Sequence, residues 1–62
     1  MENVAAKIRA KIEKLSVEAV KEVIIKMMDS EEEGADAVLA IAIKNLEKRI
    51  SPKEFYEFSL AV

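Results

Sequence analysis

From Ala37 to Ile43 the chain reads AVLAIAI, seven residues without a polar side chain in a protein of 62 residues. Such a run must leave water, and a short chain has few places to put it, because small domains bury a smaller share of their surface than large ones. The choices are a membrane segment, a buried strand, a ligand-binding helix or a helix covered on two sides. The run is far shorter than the roughly 18 apolar residues that span a bilayer. Ile41 and Ile43 alternate with alanines as in a strand, but alanine is poor in strands and the flanks are helical. Read as a helix, at about 100° per residue, the segment sorts into two faces. Ala35, Leu39, Ala42, Ile43, Leu46 and Ile50 form a core stripe. Roughly opposite lie Gly34, Ala37, Val38 and Ile41, continued by Asn45 and Lys48. A helix covered on one side only would carry charge there. The second strip therefore calls for its own cover, either a second copy of the chain or a first or fourth helix that wraps round within one monomer.

The remainder of the chain supports helices. It has one glycine, one proline and no repeat, and its apolar period is helical almost throughout. Val4, Ile8, Ile12 and Leu15 define a first amphipathic helix over 2–14. Ser16 has the character of an N-cap, with Leu15 and Val20 spaced as a hydrophobic staple. A break or kink is expected near 15–16, although one long bent helix fits the same pattern. A second helix over 17–28 gathers Val17, Val20, Val23, Ile24, Met27 and Met28 on one face. Glu22 and Lys26 on the other are spaced as an ion pair. Ile25 falls on that charged side, as an isolated exposed isoleucine or as a partner contact.

Ser30 and Glu33 have the spacing of a capping box, and three glutamates suit the positive end of a helix dipole. They place a third helix over 31–50 with Gly34 inside it; the alternative has Gly34 ending a turn and the helix starting at Asp36. Ser51-Pro52-Lys53-Glu54 combines a cap, a proline at the first helical position and a closing glutamate, with Ile50 and Phe55 as the staple. A final helix over 52–60 carries all three aromatics and is expected to plug the end of the bundle. The fold class is all-α: a single domain of residues 1–62, a small three-to-four-helix bundle with a long central third helix and a short aromatic C-terminal one.

Chemistry is scarce. Without cysteine or histidine the chain lacks disulfides, thiolate metal sites, the commonest general base and the commonest metal ligand. Its four serines have no histidine to activate them, and no carboxylate falls on an apolar stripe where burial would tune it for acid–base work. The expectation is a non-enzymatic protein without cofactor or metal. The start lacks the residue order of a signal peptide, so a cytoplasmic protein is expected. Asp29, Glu31, Glu33 and Gly34 match the first, third, fifth and sixth positions of an EF-hand loop, but the twelfth, where a bidentate glutamate belongs, is Ala40. An acidic helix start accounts for the same residues. A net charge of −2 argues against a dedicated nucleic-acid binder, although Lys7, Lys11 and Lys14 line one side of the first helix at a spacing suited to phosphates. Nothing reads as a helix-turn-helix.

Two short stretches carry resemblances. Gly34-Ala35-Asp36-Ala37-Val38 resembles the G-A-D-S-L that opens the second helix of acyl carrier proteins. The serine that would carry phosphopantetheine is Ala37 here, and the long loop between the first two helices is missing. The acidic helix start, Leu39-Ala40, Asn45 and Ser51-Pro52 before a short aromatic helix look like the Hha/YmoA family, small helical proteins that modulate transcription by binding a nucleoid protein. Its charged residues differ, and the first half of this chain has nothing in common with it.

The functional expectation is a small protein–protein interaction module, self-associating as a homodimer through the third helix and open to a second protein partner. Its candidate interface is Ile25, Gly34, Ala37, Val38, Ile41 and Asn45. One alternative is a transcription or nucleoid-associated regulator acting through nucleic acid or a DNA-binding partner, with Lys7, Lys11 and Lys14 as phosphate contacts. Another is a designed or purely structural helical miniprotein, against which Met27-Met28 and the β-branched residues of the second helix stand.

Overall fold

The structure, a computed structural model, describes residues 4–62. Four helices follow in order: α1 (Val4–Glu13), α2 (Val17–Asp29), α3 (Ala35–Arg49) and α4 (Pro52–Ala61). No strand occurs among the described residues. Positions 2 and 3 of the expected first helix lie outside the described residues.

The first two helices are separate. Ser16 is extended, at φ −70° and ψ 163°, and its Oγ accepts a hydrogen bond from the Ala19 N–H at 3.1 Å. One of the donors left orphaned at a helix start is thereby satisfied, and α2 begins afresh. Ser51 does the same for α4: its Oγ accepts from the Glu54 N–H at 3.1 Å, with Pro52 in the first turn.

The start of α3 departs from the expected 31–50. Gly34 is not inside the helix but precedes it as the N-cap, with a left-handed backbone at φ 90°. A helix cannot run through such a residue, so the turn at 32–34 ends there and α3 starts at Ala35, one residue before the alternative start. The expected capping box does not form either. Ser30 caps the end of α2 through its N–H to the Met27 carbonyl, and its Oγ accepts from the Glu32 N–H two residues on. α3 also stops at Arg49, with Ile50 extended.

α3 is central, in contact with each of the other three helices. Val20 of α2 and Ala42 and Leu46 of α3 are fully buried, and Ile12, Ile24 and Ala35 nearly so. Leu39, Ile43 and Ile50 complete the expected stripe as half-buried residues. Each large apolar side chain removed from water contributes about 1.5–3 kcal/mol, which makes the α1–α2–α3 seam the main source of stability. The stripes overrun the core at their ends, since Val4 and Met28 are exposed.

α4 contributes no fully buried residue. Phe55 and Phe58 pack against the core, while Tyr56, Leu60 and Val62 stay exposed, so α4 is a partial cover rather than a plug. Lys21 ties it to α2: its ammonium sits 5.8 Å from the Phe58 ring centroid, a cation–π distance, and 3.7 Å from the Glu18 carboxylate. Lys21–Glu18 takes the place of the expected Glu22–Lys26 pair, which is not found among the described residues.

A Cβ added to Gly34 would meet nothing within 4 Å, so only its backbone conformation demands glycine. Gly34→Ala should therefore lower unfolding free energy by about 1 kcal/mol in urea titration, and D-alanine introduced by chemical synthesis should restore or exceed the original value. Equal losses with both enantiomers would assign the cost to crowding.

Candidate functional site

The strip opposite the core stripe of α3 is divided. α1 packs over one edge of it, where Val38 and Ile41 are half-buried against the core. Gly34, Ala37 and Ala40 remain exposed. Between the two helices runs a groove of about 420 Å³, with Arg9 and Glu13 of α1 on one side and Ala40, Ile41, Lys44, Asn45 and Lys48 of α3 on the other. Small-molecule pockets are lined mainly by apolar and aromatic side chains. This groove has one large apolar residue, Ile41, beneath a rim of charge.

Asn45 carries the polar anomaly of the site. Its Oδ1 is buried and has no hydrogen-bond partner. A neutral oxygen left so costs about 1–3 kcal/mol relative to one that is paired.

Of the expected interface, Ile41 and Asn45 come together in the groove. Gly34 and Ala37 lie open on the N-terminal half of α3, and Val38 belongs to the partly buried layer under α1. Ile25, 44% exposed as its place on the charged side implied, belongs to a separate cleft of about 260 Å³ with Met28, Asp29, Ala61 and Val62. Lys7, Lys11 and Lys14 are all exposed, and none lines the groove; the cation of α1 that does so is Arg9.

No protein-family model matches the chain, and no curated protein or solved structure matches it either.

The serine hydroxyls are engaged locally. Those of Ser16, Ser30 and Ser51 accept from backbone N–H groups, and that of Ser59 donates to the Tyr56 carbonyl at 2.7 Å. Among the described residues no three carboxylates stand together so as to hold a metal ion, and no helix is long and apolar enough to cross a membrane.

Arg49 is the residue whose role the sequence pattern concealed. Its guanidinium donates to the Glu13 carbonyl at 2.6 Å, to the Ile12 carbonyl at 3.2 Å and to the Leu15 carbonyl. These groups belong to the end of α1 and the turn after it, so the C-terminal ends of α1 and α3 are tied together. One signal for it was present. The first helix ends without the glycine that commonly satisfies the last carbonyls, so a donor from elsewhere was needed. Holding α1 here fixes one wall of the groove.

Two substitutions test these assignments by chemical denaturation. Arg49→Met keeps the apolar stem but removes all three bonds, and should lower stability by about 2 kcal/mol. Asn45→Leu should leave stability unchanged or raise it by about 1 kcal/mol, because it removes an unpaired buried oxygen; a clear loss would show that Asn45 is hydrogen-bonded.

Proposed function

We propose that the protein is a non-enzymatic interaction module that self-associates through the outward side of α3. The observation that carries this reading is the pairing of exposed Ala37 and Ala40 with half-buried Ile41 on a helix whose other side already forms the core. A side facing only water has no use for small apolar residues, whereas small side chains let another helix approach closely. The exposed Ile25, Met28, Tyr56 and Leu60 add apolar surface on α2 and α4 that a further protein partner would cover.

A second reading is favoured by the basic rim of the groove, where Arg9, Lys44 and Lys48 stand together. With Lys7, Lys11 and Lys14 on the same α1, these cations would suit nucleic acid, directly or beside a DNA-binding partner. Glu13 among them and the net charge of −2 weigh against it.

Light scattering from micromolar to millimolar protein separates the readings. The wild type should pass from monomer to dimer, while Ile41→Glu should stay monomeric at unchanged helicity. A wild type that is monomeric throughout overturns self-association. If Ile41→Glu unfolds that monomer, Ile41 serves only the α1–α3 contact. Salt-sensitive binding of duplex DNA by such a monomer would transfer the assignment to the second reading.

A further inference from the structure

The outward side of α3 is complementary to itself when reversed, and this inference rests on the self-association reading. Along the helix the exposed positions are Ala37, Ala40, Lys44 and Lys48, with Ile41 beside them and Glu33 and Asp36 at the N-terminal end. Turning α3 end over end about an axis between Ala40 and Ile41 exchanges Ala40 with Ile41 and Ala37 with Lys44. The same operation carries Lys48 to the end where Glu33 and Asp36 stand. We propose that two copies of the chain pair antiparallel through α3 about this axis, small apolar residues at the centre and an acidic end against a basic one on each side.

Three considerations favour this occupant. At about 1.5 Å per residue, Lys44 and Lys48 lie about 12–18 Å along the axis from Asp36, beyond the Debye length at physiological salt. The two charge groups thus cannot neutralise one another within one chain. Glu33, Asp36, Lys44 and Lys48 also form no ion pair with another described residue. A parallel pairing would set acid against acid and base against base, whereas the antiparallel one matches both signs twice and opposes the two helix dipoles. On the groove rim, Arg9 and Glu13 of α1 carry opposite charges and leave this balance unaltered.

Charge reversal in two complementary variants tests the arrangement. In Glu33→Lys/Asp36→Lys both ends of α3 are basic, and in Lys44→Glu/Lys48→Glu both are acidic. Each variant alone should self-associate at least about tenfold more weakly than the wild type at low salt, with helicity retained by circular dichroism. An equimolar mixture of the two should recover association as a heterodimer, because both contacts then pair opposite charges. A wild type that dimerises while the variants dimerise equally well, with no gain on mixing, overturns the antiparallel arrangement but leaves self-association standing. A wild type that remains monomeric overturns both.

Discussion

The Arg49 guanidinium, clasping the carbonyls of Ile12, Glu13 and Leu15, is the contact on which the arrangement of the helices depends. α1 has only 10 residues, fewer than an isolated helix needs to be stable in water, and it persists because its apolar side is packed. The turn from Lys14 to Ser16 is too brief to recruit a left-handed glycine cap. A cation with several donors in one plane, presented from a neighbouring helix, meets the same need. Lysine at this position would present a single ammonium and could not divide its bonds in the same geometry. Because Arg49 is the last residue of α3, the contact also sets where α3 ends relative to α1.

Around that anchor the chain solves a problem of size. One helix supplies the wall shared by the other three, and Ala42 allows the neighbours to approach closely while Leu46 fills the space between them. Alanine on the inner side of α3 is thus a packing choice. Alanine on its outer side, at positions 37 and 40, has no counterpart within the monomer. The same residue type serves two purposes on two sides of one helix, which is why the run Ala37–Ile43 has no polar member.

The sequence made the helices legible where apolar period and cap chemistry agreed. Ser16 and Ser51 each mark a helix start with a hydroxyl three residues before the N–H it binds, a relationship visible in the order of residues alone. The region from Ser30 to Gly34 misled because two local devices competed: the spacing of a capping box and a glycine able to take a positive φ. The glycine prevailed, since a left-handed residue ends helix propagation whatever precedes it. Ile41 and Asn45 were legible as site residues through their place on the helix, but Arg9 and Glu13 were not. Helical period says which side of its own helix a residue occupies and nothing about which neighbour that side meets. Arg49 was concealed for the same reason, as its partners lie more than 30 residues away.

The attachment of α4 has a bearing on how the molecule fluctuates. This helix is docked by two phenyl rings and a lysine from α2, with no side chain sunk completely into the interior. Its opening free energy therefore lies below that of the α1–α2–α3 seam, and native-state hydrogen exchange would see two tiers of protection in one small chain. Each excursion of α4 lifts Phe55 and Phe58 from the core and briefly bares apolar surface beneath them. The protein thus has a latent surface as well as a standing one, and the two are separately timed.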